Sequence, residues 1–192
     1  MTDNTAQPFL SDVKTLRERA RQHLENGAVT STYGGDPAKM IGILQSVLAT
    51  EIVCVLRYTM HAVAASGISS EDVKKEFREH AREEKEHVDW VAERINQLGG
   101  IPNFDPSGLA TRSASEYGTA DNLVEMIKEN LIAERIAIDH YRELIRYIGD
   151  QDPTTCTMLK AILAVEEEHA NDMHDLMVAN RGEPIHKNTP QF

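Results

Sequence analysis

Cysteine is almost missing from this 192-residue chain: Cys54 and Cys156 are the two present, and no CxxC pair occurs. A disulfide framework and a zinc ribbon are therefore not expected. Aromatic residues are also scarce, at 5%. Strands favour them, whereas the abundant Ala, Leu, Ile, Glu, Arg and Lys favour helix. The start, MTDNTAQPF, has neither the basic residues nor the apolar stretch of a secretory leader. No uninterrupted run of about 18 apolar residues could span a membrane, so a cytosolic protein is expected. Positive charge is in deficit, with 20 Lys and Arg against 31 Asp and Glu, a net charge of −11. Such a chain is a poor partner for nucleic acid or anionic membrane and attracts cations. Solubility alone is the other reading of that acidity.

What is present is helical punctuation. A short helix is expected from Asp12 to Asn26, capped by Ser11 and stopped by Gly27. Its Lys14, Arg17, Arg19 and Arg21 raise the question of DNA contact, but a solvated face is the commoner role. The first long helix should start after Asp36-Pro37 and run to Ser66, with Gly67 ending it. A second begins behind Ser69-Ser70, carries Glu71 and Asp72 in its first turn, and stops at Gly99-Gly100. A connection rich in Pro, Ser, Gly and Thr follows, from Ile101 to Thr119. The third long helix runs from Ala120 to Ile148, and the fourth from behind Asp152-Pro153 to Asn180.

Helices of this length reach roughly 40 Å. The first and last links are short, so each joins an antiparallel hairpin. The middle link can run the length of the bundle at about 3.3 Å per residue. The fold expected is all-α: a four-helix bundle with one long crossover, residues 36–181, after an extension (1–35) and before a tail (182–192). Cys54 and Cys156 then lie too far apart along the bundle for a disulfide.

Charge interrupts the core stripe. Each long helix is apolar along its buried seam except near the middle, where Glu51, Glu84, Glu134 and Glu166 stand. On the second and fourth helices a histidine follows three residues later, giving Glu84-x-x-His87 and Glu166-x-x-His169; positions i and i+3 share a face. One such pair is often only a hydrogen-bonded core pair. Six residues repeated at an offset of 82–83 are another matter. Four buried carboxylates must be protonated, paired or metal-bound. Two divalent cations would neutralise them and leave two imidazoles as further donors, a set suited to iron or manganese more than to a closed zinc site. Tyr58 and Tyr141, each seven residues after a lone glutamate, could brace the metal-bound carboxylates, although packing alone would also place them there. Cys54, three residues after Glu51, is expected to be a buried inert thiol. His61, His80, His140 and His174 are expected at the surface or core edge.

This pattern over residues 37–180 resembles the ferritin superfamily, in particular bacterioferritin and the DNA-protection-during-starvation (Dps) group. The six residues, Tyr58 and the LGGIPNF stretch carry the resemblance. It implies ferroxidase activity and iron storage, with Fe²⁺ as substrate and O₂ or H₂O₂ as oxidant. It also implies two irons per subunit, which manganese or zinc could replace. Glu51 and His87 would end one iron, Glu134 and His169 the other, and Glu84 and Glu166 would bridge. Lys85 stands where bacterioferritin has its haem-ligating methionine, so no haem is expected. Only about a dozen residues follow Asn180, with Pro184 and Pro190 among them, too few for the fifth helix of 24-subunit shells. A 12-subunit shell with an intra-subunit centre is favoured. Two rivals stay open: a di-iron or di-manganese peroxidase or catalase without storage, and a DNA-compacting structural protein.

Overall fold

The computed structural model describes residues 10–66 and 70–181, and no strand occurs among them. The helices are α1 (Val13–Arg19), α2 (Pro37–Ala64), α3 (Ser70–Gln97), α4 (Leu109–Arg112), α5 (Leu123–Ile148) and α6 (Pro153–Arg181). Short 3₁₀ turns lie at Leu24–Asn26 and Gly149–Gln151.

Caps set the helix starts. The Asp36 carboxylate accepts from the Ala38 and Lys39 amides at 2.9 and 3.3 Å, and Pro37 supplies a helical φ at the first position. Asn122 accepts from the Glu125 amide at 3.0 Å, and Asp152 from the Thr155 amide at 2.9 Å. Gly149 ends α5 at a φ of +50°, where a side chain would be strained.

Helix α2 packs on α3 and α5 on α6, giving two hairpins. Their buried residues form two apolar clusters with a polar layer between. One gathers Leu44, Leu48, Val91, Ile95, Tyr141, Leu159 and Ile162. The other gathers Tyr58, Ala62, Val73, Phe77, Ile127 and Met173. The larger end is closed by a salt bridge from Arg94 to Asp152 at 2.8 Å, to which Tyr33 of the N-terminal extension donates a hydrogen bond at 2.8 Å.

The crossover is strapped along α2. The Gln45 side chain binds the Ile101 carbonyl and the Asn103 amide at 2.8 and 2.9 Å. Ser46 donates to Arg112 O at 2.9 Å, and Thr50 accepts from the Ala114 amide at 2.9 Å. Arg57 donates to Ser115 Oγ and Glu116 O at 3.0 and 2.9 Å. From residue 101 to 116 the link thus climbs α2 from Gln45 to Arg57.

Four expectations need correction. The N-terminal helix stops at Arg19 rather than Asn26, and Asp12 rather than Ser11 caps it, accepting from the Thr15 amide at 3.0 Å. It buries no residue, so nothing extends it past one amphipathic stretch. The third long helix begins at Leu123, not Ala120, because Asn122 takes the cap. The crossover contains a helical turn, α4, where a loop was expected; Arg112 holds it through the Ser107 and Asp105 carbonyls. Finally, α2 is long and apolar enough in length and composition to cross a membrane, and half of that stretch is buried in the bundle. Within α2, Glu51 and Arg57 are buried against the other helices. The expected stop at Gly67, the Ser69 cap, and the 182–192 tail with Pro184 and Pro190 lie outside the described residues.

Candidate metal centre

Each of the four long helices brings its mid-seam glutamate to the polar layer, and α3 and α6 add their histidines. Glu51, Glu84, His87, Glu134, Glu166 and His169 are all buried, at 2% exposure or less. Their donor atoms form two groups: Glu51, Glu84, His87 and Glu166, and Glu84, Glu134, Glu166 and His169. Within each group one donor atom per residue lies within 4.8 Å of the others. Glu84 and Glu166 belong to both.

Both imidazoles turn Nδ1 inward. His87 Nδ1 lies 3.1 Å from Glu166, 3.3 Å from Glu51 and 3.3 Å from Glu84. His169 Nδ1 lies 3.4 Å from Glu84 and 3.8 Å from Glu166. The outer nitrogen of His169 is anchored by Glu83 at 2.8 Å, a carboxylate brace that fixes the ring and leaves Nδ1 free to give its lone pair.

The electrostatics are those of like charges crowded together out of water. Burial, then repulsion from Glu84, pushes the Glu51 and Glu166 carboxyls well above the usual range, and raises Glu134 as well. Burial opposes the Glu84 charge too, but the imidazoles of His169 and His87 outweigh it and hold this carboxyl low. Burial disfavours charge on both rings; the surrounding carboxylates win, so His87 is raised and His169 is pushed up to about 9. Even so, Glu84 Oε1, Glu134 Oε2, both oxygens of Glu166 and His169 Nδ1 are buried with no hydrogen bond. Orphaned acceptors of this kind are costly. Two dications would match the charge of four carboxylates, and the oxygen and imidazole donors suit iron or manganese.

The two tyrosines diverge. Tyr58 donates a hydrogen bond to Glu134 Oε1 and meets His80 Nδ1 at 3.1 Å. The Tyr141 hydroxyl is buried without a hydrogen bond. Its expected role as a brace therefore has no contact behind it here, and the ring packs in the larger apolar cluster. Lys85 sits on the outside of α3, paired with Asp89 at 2.5 Å. Cys54 and Cys156 are buried free thiols; burial raises the Cys54 thiol well above its usual range.

Sequence reasoning missed a second set of residues. Arg57, six residues along α2 from Glu51, is fully buried and donates to Asn130 Oδ1 at 2.9 Å, besides holding the crossover. His61 and His80, expected at the surface or core edge, are buried. His61 meets Asn130 at 3.0 Å, and His80 stacks on His169 with ring centres 3.8 Å apart. A buried arginine reads in sequence like an exposed one, because its oxygen partners come from 58 to 73 residues away.

The family model described as Ferritin-like domain matches residues 41–181, and the chain belongs to that family. Its bundle superposes on a dodecameric thioferritin, the bacterioferritin-related protein of Bacteroides fragilis, with a TM-score of 0.73 and 34% identity, covering 80% of this chain and 94% of that one. The chain is 28% identical to the DNA protection during starvation protein of Pyrococcus furiosus, over 83% of its own length and 91% of the relative's. It is 24% identical to the bacterioferritin of Mycobacterium avium, over 70% and 80%.

Proposed function

We propose that this chain is a cytosolic iron-storage and detoxification protein that oxidises Fe²⁺ with O₂ or H₂O₂ at two cation positions inside each subunit. The observation that carries this reading is the pair of buried donor groups sharing Glu84 and Glu166. Glu51 with His87 closes one position, Glu134 with His169 the other, and the shared carboxylates bridge. The ferrous substrates supply the electrons and the oxidant accepts them. The protein's part is to hold both ions adjacent in a dry layer, with carboxylate charge that stabilises the ferric product electrostatically. Tyr58 holds Glu134, and Glu83 holds the His169 ring, so two of the six donors arrive already oriented.

In this reading residues 36–181 are the metal-holding bundle, residues 1–35 an extension and 182–192 a tail. The likeness to a dodecameric relative supports a hollow twelve-subunit shell as the store, and the net charge of −11 supports cations rather than DNA as partner. Haem has no part in it. Anaerobic titration should saturate at two Fe²⁺ per chain. In Glu84→Ala and Glu166→Ala the oxidation rate should fall by at least about 100-fold, the upper range for losing an outer partner alone. Parent-like rates in either variant would refute the centre. A compact dimer in sedimentation would refute the shell and leave the peroxidase reading standing.

A further inference from the structure

A third convergence of donors lies outside the centre. On α3, Glu76 and His80 are one turn apart and share a face; on α6, Asp172 faces them. His80 Nε2 lies 3.4 Å from Glu76 Oε1 and 3.5 Å from Asp172 Oδ2. These separations are longer than an ordinary hydrogen bond. The donors converge on a common point without satisfying one another, and one atom from each lies within 4.8 Å of the rest. His80 is 1% exposed, and its Nε2 faces the two carboxylates. The two carboxylates are partly open, at 37% and 41%, and with Asp175 and Leu176 they line a cavity of about 290 Å³.

The fold does not demand this polarity. Shifting α3 onto α6 by the 82 residues that separate Glu84 from Glu166 carries Glu76 to Met158 and His80 to Ile162, and Asp172 carries back to Trp90. The equivalent place on the other side of the bundle is thus apolar, and Trp90 and Met158 line one cavity there. A histidine with two acids stands where the other side has an isoleucine with a methionine and a tryptophan.

We infer that Glu76, His80 and Asp172 form a third divalent-cation site, open to solvent and separate from the buried pair. Its donors are one imidazole nitrogen and two carboxylates, a set that takes Fe²⁺, Mn²⁺, Co²⁺ or Zn²⁺ with water completing the coordination. The site also reaches the centre. With a cation on Nε2, the proton of His80 resides on Nδ1 and is donated to the Tyr58 oxygen; the Tyr58 hydroxyl proton is then committed to Glu134. An outer cation thereby sets the direction of the hydrogen bond that orients an inner ligand.

The site stands apart from the reading of the centre, so the test must separate them. Zn²⁺, which cannot be oxidised, is the probe, counted by equilibrium dialysis on the full chain. The Glu76→Gln, Asp172→Asn double variant alters only partly exposed side chains and should bind one Zn²⁺ fewer than the parent, two per chain instead of three. The Glu84→Ala, Glu166→Ala variant should keep the outer ion, and a Zn²⁺-soaked crystal should show an anomalous peak among Glu76, His80 and Asp172. Equal counts in parent and double variant, or no peak there, overturn the outer site whatever the centre binds. Loss of inner ions with the difference of one intact leaves it standing.

Discussion

The two hairpins are copies in their ligands and opposites in what surrounds them. Shifted by 83 residues from α2 to α5, Glu51 meets Glu134 and Tyr58 meets Tyr141, but Arg57 meets His140, Cys54 meets Ala137 and His61 meets Leu144. Around Tyr58 lies a buried network of Arg57, Asn130, His61 and His80. Around Tyr141 lies the larger apolar cluster. The centre fixes residue type wherever a donor is needed in both halves. One step away that constraint ends, and one half has become a polar scaffold while the other has become packed core. Polar contacts outside the centre therefore fall mainly on one side, and mutations should reveal that imbalance.

The largest difference should come from the paired positions Arg57 and His140. Arg57→Met leaves Asn130, Ser115 and the Glu116 carbonyl short of a donor inside the protein, so stability should drop by about 3 kcal/mol. His140 is half-buried and its Nδ1 has no hydrogen bond, so His140→Leu should cost under about 1 kcal/mol. Urea unfolding of the two variants measures both, and equal losses would dissolve the distinction. The tyrosines give the next contrast. Tyr58→Phe removes the donor to Glu134 and should slow ferrous oxidation about tenfold, the low end for an outer partner. Tyr141→Phe should stay within about twofold by the same reasoning, read from initial rates under matched iron.

A smaller effect concerns pH. In the metal-free chain His169 is raised to about 9 from an ordinary 6.5. A folded-state value above the unfolded one stabilises fully below pH 6.5, and that contribution is lost as pH climbs through about 9. Glu51 and Glu166, raised by burial, act with the same sign. Melting of chelator-treated protein should therefore shift a few degrees lower between those pH values. Zn²⁺ affinity should strengthen over the same interval, because the metal must displace these protons. A metal-free melting temperature that rises with pH would contradict the assigned protonation.

Much of this was legible in sequence because a charge in an apolar seam is conspicuous. Glu51, Glu84, Glu134 and Glu166 stand out where leucine or isoleucine should be, and the Pro and Gly punctuation marks the helix ends to within a few residues. What escaped depends on partners far along the chain. Glu83 looks like one more exposed acid of α3 until His169 arrives beside it. Single turns escaped as well: α4 exists because Arg112 and the strap to α2 hold it, and no periodicity in four residues announces that. The N-terminal helix erred in the other direction, since its pattern ran on to Asn26 with no core to support it.

One feature of the centre bears on how the molecule comes together. The first donor group takes Glu166 from the second hairpin, and the second takes Glu84 from the first. Neither hairpin by itself can complete a coordination set. A cation held at full strength thus reports that the halves have met in register, and its binding energy adds to the docking of one on the other. Under the function proposed above, the ion is both cargo and the clasp that rewards correct assembly.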